Sequence, residues 1–305
     1  MTRLNIGWKP LAWSAAALLL LLTIPTPLSG LTFFMIMAPF TVLYTLLRPA
    51  VFAAYAAVVG AAAFLLLGSY GLTVLVVGLF FLVPTIVMGH MYKKKSKART
   101  VVLAGFGVIL AQMLINLVII SMEFRVNLSA ELSKLLAVSL GDVEKAGMLP
   151  AGWAAQTAHT LADAFIQMLP LFVLLFSFLL AVINHGLARR ALRISGVEVP
   201  ALPRAKDWKL PRSLFWYFLI ALLLSYTVPR QGSAYWTIVS ANLLPLLILV
   251  FTVQAIGFLY YLADAKRWPK VVPVLIAVPL VCLNVPVYIV GLLDVAFPLR
   301  RYFVK

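Results

Sequence analysis

The sequence predicts an all-α, polytopic helical membrane protein with about eight to nine transmembrane segments. Three observations carry that reading. Of 305 residues, 64% are apolar and 11% are charged, whereas a soluble domain is about 45–50% apolar and 25% charged. The mean hydropathy is +1.05. The apolar residues also fall into continuous runs close to the roughly 20 residues that a helix needs to cross hydrocarbon. They show no alternation of period two, so helices rather than a barrel follow. The composition excludes a disordered chain and a soluble enzyme with one buried core.

Candidate spans are 10–27, 31–47, 50–68, 71–91, 100–122, 160–186, 212–228, 234–263 and 271–290. The N-terminal run has a basic start but no small-residue cleavage site after it, so it reads as a retained first span rather than a signal peptide. Between the fifth and sixth runs, the segment 124–158 places Leu128, Leu132, Leu135, Leu136 and Val143 near one helical face, with Glu131, Lys134 and Asp142 off it. That pattern is an amphipathic helix lying on the membrane surface or capping the bundle. The segment 187–211 is basic and carries Pro200, Pro203 and Pro211. It separates a six-span half, 1–186, from a C-terminal part of two to three segments, 212–305. The run 271–290 reads most simply as one span with an interfacial tail. Asn284-Val285-Pro286 offers the other reading, a break into a re-entrant hairpin.

Net charge is +16. On a soluble domain this would suggest nucleic acid. Here the basic residues sit in short runs between spans, where they set orientation instead. With the N-terminus cytoplasmic, eighteen basic residues lie inside, including Lys93, Lys94, Lys95, Lys97, Arg99 and those of the loop, and four lie outside. The protein is therefore expected in the bacterial cell membrane, with anionic inner-leaflet lipid as the partner of its basic loops. In nine full spans, Arg300, Arg301 and Lys305 would fall outside, against that rule. The single cysteine, Cys282, excludes an internal disulfide and a cysteine metal cluster and reads as a small packing residue.

Polar side chains in hydrocarbon are costly and mark sites by default. The fifth span carries Gln112, Asn116 and Glu123 at spacings of four and seven, on one helical face. The sixth carries His159, Asp163 and Gln167 at spacings of four and four, again on one face. The two spans run in opposite directions, so both stripes lie toward the outer half. Facing each other, they would line an outward pocket for a small polar solute, with Glu123, Asp163 and His159 at its mouth. The alternative keeps the amides as interhelical glue and leaves the acids and histidine in water. Asn184-His185 is placed at the wet inner end of the sixth span. Asp294 pairs with Arg300 or Arg301. Asn242 and Gln254, twelve apart, share no face.

Nucleotide-binding, serine-hydrolase and zinc-protease motifs are missing, and no nucleophile–base pair is visible, so no enzyme is expected. No cofactor or metal is expected. Small residues recur at Ala12 and Ala16 and from Ala53 to Ala61, a spacing that lets helices approach closely and offers a docking face for a transmembrane partner.

The stretch Leu169-Pro170-LFVLLFSFLLAVINHGLARRALRISG, with Pro203 and Trp208-Lys209-Leu210-Pro211-Arg212 after it, resembles the YybS family of bacterial membrane proteins. So do Asn242-Leu243-Leu244, Gln254-Ala255-Ile256-Gly257 and the ending Gly291-Leu292-Leu293-Asp294 with Arg300-Arg301. Ala296, Phe297 and Pro298 depart from that pattern, which has a more polar stretch there. The resemblance covers the C-terminal half best. The six-span half is similar to the substrate-binding S components of energy-coupling factor transporters. That similarity implies a solute held in an outward pocket, no ATPase of its own, and docking through small residues of the first helix, here Ala12 and Ala16. The function expected is a solute-binding membrane subunit that relies on a partner for energy. The alternative is a non-transporting envelope scaffold or lipid-binding protein.

Overall fold

In a computed structural model the chain is described over residues 7–123, 127–147, 150, 152–227, 234–269, 271–283, 285–297 and 299–303. Every regular element among them is a helix. Five helical stretches are long and apolar enough to cross a membrane: Ser29–Leu46, Pro49–Lys93, Ala98–Met122, Leu169–Ile194 and Tyr235–Ala265. Three shorter apolar helices accompany them. The stretch Pro49–Lys93 folds as two helices separated by a 3-10 turn at Gly68–Tyr70. The multi-pass helical class is therefore as the composition requires.

Two compact units emerge, residues 1–125 with 173–202, and 126–172 with 203–305. In the first unit α1 (Lys9–Leu22) is followed by α2 (Ser29–Met35) and α3 (Met37–Leu46). Pro39 has no N–H for the carbonyl of Met35, and the helix is interrupted at Ile36, next to that lost bond. Next come α4 (Pro49–Leu67), α5 (Gly71–Lys93) and α6 (Ala98–Glu123). Helix α3 is the buried centre of this unit, packing on α1 and α5. Met37, Phe40, Val42 and Leu43 join Val101, Ile109, Leu180 and Leu192 in its core.

The second unit contains α7 (Leu128–Lys145) and α8 (Trp153–Gln167), which pack as a helical hairpin. The amphipathic segment is thus a real helix, with Leu135 and Val138 exposed on it. The sixth span differs from the reading 160–186. Residues 153–167 form α8, and α9 (Leu169–Ile194) is a separate helix starting after a break at Met168 and running eight residues beyond the expected end. After a 3-10 turn at Ala205–Asp207 come α10 (Ser213–Thr227), α11 (Ala234–Ala265), α12 (Val272–Cys282), α13 (Tyr288–Ala296) and the short α14 (Leu299–Tyr302). The continuous span 271–290 is overturned: Pro286 cannot donate to the carbonyl of Cys282, and the helix stops there and restarts at Tyr288. Cys282 is exposed at that stop rather than packed. Asn284 lies outside the described residues. Phe218, Ala221, Leu247, Phe251 and Val295 form the core of this unit.

Candidate functional site

Gln112 and Asn116 lie on α6, in the first unit. Pro84, inside α5, has no N–H, so the carbonyl of Phe80 loses its helical partner. Gln112 answers that defect from the neighbouring helix: its Nε2 donates to the Phe80 carbonyl at 3.1 Å. Its Oε1 is buried with no partner. Asn116 Nδ2 donates to the carbonyl of Gln112, four residues back on its own helix, at 2.8 Å, and the residue is exposed. Glu123 ends α6, and its side chain lies outside the described residues.

His159, Asp163 and Gln167 lie on α8, in the second unit, and not on the apolar span α9. His159 Nδ1 stands 3.1 Å from Asp163 Oδ2. Ser129, on α7, donates its hydroxyl to the other carboxylate oxygen at 2.6 Å. The carboxylate is therefore the middle member of the three. A hydroxyl nucleophile needs the imidazole in the middle to take its proton, so this trio ties α7 to α8 and builds no relay. His159 is 72% exposed, and Gln167 is also exposed. The hairpin is closed by Glu144, whose carboxylate accepts from the backbone N–H of Gly152 and of Ala154, both at 2.8 Å. Those two amides hold its carboxyl below the usual glutamate range.

Two polar constellations escape the reading from sequence, and a third extends the ion pair expected at Asp294. The break at Met168 leaves a carbonyl at the end of α8 and an amide at the start of α9 without helical partners. Asn242 serves both: its Nδ2 donates to the Gln167 carbonyl at 2.7 Å, and its Oδ1 accepts from Leu171 N–H at 2.9 Å. The second is Asn184-His185. Because α9 continues to Ile194, the pair is buried rather than wet. Asn184 bonds Thr41 Oγ1 at 3.2 Å and Met88 Sδ at 3.2 Å. His185 Nδ1 lies 2.8 Å from the Tyr92 hydroxyl, and its Nε2 is buried without a partner, as is Thr85 Oγ1. The third joins Gln254, Asp294 and Arg300. Gln254 Nε2 donates to Asp294 Oδ2 at 2.6 Å, and Arg300 Nη2 reaches the same oxygen at 2.9 Å. Of the two arginines expected beside Asp294, Arg300 is the partner, and the carboxylate is 1% exposed.

The small residues sort differently. Ala12 is exposed and Ala16 half-buried, while the buried face of α1 is Ser14, Ala17 and Leu21. Ala53, Ala57 and Ala61 of α4 line an apolar cavity of about 860 Å³, together with Gly78 and Leu79 of α5 and Phe40 of α3. All three alanines are exposed. Among the described residues, no group of three or more His, Cys, Asp or Glu is placed to hold a metal ion.

Fold and polar chemistry together define a multi-pass helical membrane protein whose described intramembrane polar groups mostly serve backbone and one another. Over residues 14–295 the sequence matches the family model described as a predicted membrane protein, DUF2232. The chain belongs to that family. It is 25% identical over 228 residues, 71% of this chain and 72% of the relative, to the uncharacterized protein YybS of Bacillus subtilis (strain 168). No solved structure matches it.

Proposed function

We propose that this is a non-catalytic lipid-binding protein of the cell membrane, oriented with its N-terminus in the cytoplasm, and that the cavity between α4 and α5 takes the acyl chain of a membrane lipid. The observation that carries the reading is the cavity's chemistry. Its walls are Ala, Gly, Leu, Ile, Val, Pro and Phe with one tyrosine, Tyr44, and no side chain of formal charge to fix the orientation of a soluble ligand. The small residues that α4 contributes let a chain lie close to its backbone. The basic stretches beside the spans draw anionic headgroups.

The test is lipid retention. Ala57→Phe together with Ala61→Phe fills the cavity from its exposed rim without touching the packed core. Native mass spectrometry of protein extracted in mild detergent should show a retained lipid on the wild type and its loss from the double variant, with thermal stability unchanged. Equal retention by both proteins would sink the reading. Loss of a co-purifying protein or of a second copy, with lipid unchanged, would assign the cavity to a transmembrane helix and the protein to scaffolding.

One observation favours the second reading, a solute-binding subunit like an S component. The buried Oε1 of Gln112 has no donor, and a small polar solute carrying an N–H or O–H would supply one. That reading draws on Gln112, Asn116, Glu123, His159, Asp163 and Gln167 for the solute, and on Ala12 and Ala16 for a partner that supplies energy. A panel of vitamins and polar metabolites should then raise the melting temperature by linkage. A flat response at saturating concentrations removes it.

A further inference from the structure

The direction of α13 is fixed by what it meets along α11. A Cβ added at Gly291 would collide with the backbone carbonyl of Phe251 and come within 3.0 Å of Ala255 N. The two helices therefore touch backbone to backbone at that level, which only glycine allows. Further along, Asp294 meets Gln254. Beyond the end of α13, the carbonyl of Arg300 accepts from the Tyr261 hydroxyl at 2.9 Å, and the Phe303 ring lies 5.9 Å from that of Phe258. From Gly291 at Phe251 through Asp294 at Gln254 to Arg300 at Tyr261, residue numbers rise together on the two segments, so α13 runs parallel to α11.

Helix α11 ends at Ala265, followed by Lys266 and Arg267. The basic loop reaches this end of α11: Lys206 Nζ pairs with Asp264 at 2.7 Å, and further back along the helix Leu210 N–H donates to Gln254 Oε1 at 3.2 Å. Arg300 closes the arrangement. Its Nη1 donates to the carbonyl of Lys206 at 2.8 Å, and its Nη2 donates to that of Trp208 at 2.7 Å. The chain thus leaves α11 on the face of the basic loop, and the tail returns to that face.

What lies between is too short to cross twice. Helix α12 has 11 residues and α13 has 9. At about 1.5 Å per residue they extend about 16 and 14 Å, each about half of the hydrocarbon. Described amides of the turn between them are engaged: Leu283 N–H donates to the carbonyl of Pro279 and Val285 N–H to that of Leu280, at 2.8 and 2.9 Å. A turn at mid-depth requires such pairing.

We infer that α12 and α13 form a re-entrant hairpin that enters and leaves the membrane on the face of the basic loop, latched by Gln254, Asp294 and Arg300. Arg300 and Arg301 then obey the rule that a ninth full span would break, and the chain makes eight crossings. Cys282 sits at the tip, near mid-membrane.

The native cysteine makes the test direct. In a Cys282→Ser background, single cysteines are placed at Lys209 in the basic loop, at Tyr226 at the far end of α10, and at Phe303 in the tail. Each is probed with a membrane-impermeant maleimide on intact cells and on inside-out vesicles. The expected result is that F303C labels in the same preparation as K209C and opposite to Y226C. Labelling with Y226C would overturn the hairpin; should F303C fail to accumulate, R301C takes its place under the same criterion. In the otherwise native chain, Cys282 should resist the polar maleimide from both sides, because a thiol in hydrocarbon stays protonated and only the thiolate adds to maleimide. Polar labelling of Cys282 from the Y226C side would also overturn it. The comparison is internal to the chain, so it stands or falls independently of whether the cavity holds lipid and of which face is cytoplasmic.

Discussion

Replacing Gln112 with Leu removes the side-chain donor to the Phe80 carbonyl that Pro84 leaves free. An unsatisfied buried acceptor costs about 1–3 kcal/mol in soluble proteins. Interhelical hydrogen bonds in membranes average about 0.6 and reach about 1.7 kcal/mol. The leucine also removes the unpartnered Gln112 Oε1, which offsets part of the loss. A net cost of about 1 kcal/mol follows for Gln112→Leu. Pro84→Ala restores an N–H four residues after Phe80, so in that background Gln112→Leu should cost close to nothing. A double-mutant cycle, measured by reversible denaturation in mixed micelles, should give a coupling of about 1 kcal/mol. Equal costs of Gln112→Leu in the wild-type and Pro84→Ala backgrounds would refute the assignment of Gln112 to the proline defect. Such a result would also return this amide to the solute-binding reading, under which its loss is felt in ligand affinity whether or not the proline is present.

Asn242→Leu strips the Gln167 carbonyl and the Leu171 amide at once. It should destabilise the second unit by about 1–3 kcal/mol and open the α8–α9 junction to protease, seen as new cleavage near Met168. Gly291→Ala drives a methyl into the Phe251 carbonyl, so it should lower thermal stability by at least the roughly 1–3 kcal/mol of ordinary overpacking. Removing one member of the buried Asp294–Arg300 pair as Asp294→Ala should cost about 3–5 kcal/mol, read as loss of folded protein in detergent. Glu144 gives a pH signature. Its folded carboxyl titrates below its unfolded value, so its contribution is complete above the ordinary glutamate range and is lost as pH falls through the lowered value. Protease resistance of the α7–α8 turn should fall on that acid limb in the wild type, and Glu144→Gln should flatten it.

The helices are legible in the sequence because hydrocarbon leaves the chain little choice. A run such as 234–263 has to be a helix, and α11 spans Ala234–Ala265. Breaks are harder to see. The sixth run reads through Met168 because residues 160–186 are apolar on average, yet α8 is amphipathic and α9 begins at Leu169-Pro170, where proline suits a first turn. Misplacing that start also misplaces the end, and so Asn184-His185 reads as wet although α9 runs on to Ile194 and buries both. Helical spacing puts Gln112 and Asn116 on one helix and His159, Asp163 and Gln167 on another, as the structure has them. Spacing says nothing about what faces a stripe, and so the hydroxyl of Ser129 beside Asp163 is invisible to it.

The polar groups themselves suggest how such chains should be read. An amide in a span is taken as a ligand site because hydrocarbon offers it no partner. Hydrocarbon offers none to an interrupted backbone either, and the two needs can cancel. Gln112 stands opposite Pro84, Asn242 opposite the break at Met168, and Gln254 opposite the irregular chain at Leu210 and the carboxylate of Asp294. Pro84 is visible in the sequence, and the carbonyl it frees lies four residues earlier, so this class of pairing is open to inspection before any solute is invoked. What survives that subtraction is a shorter list. Gln112 Oε1, Thr85 Oγ1 and His185 Nε2 are buried in the first unit with no partner. The last two belong to helices joined by the Tyr92–His185 contact. A variant that tests ligand binding should therefore remove one of these three atoms while leaving Gln112 Nε2 in place. Gln112→Glu fails that criterion, because a carboxylate cannot donate to Phe80, whereas Thr85→Val meets it and leaves every hydrogen bond described above intact.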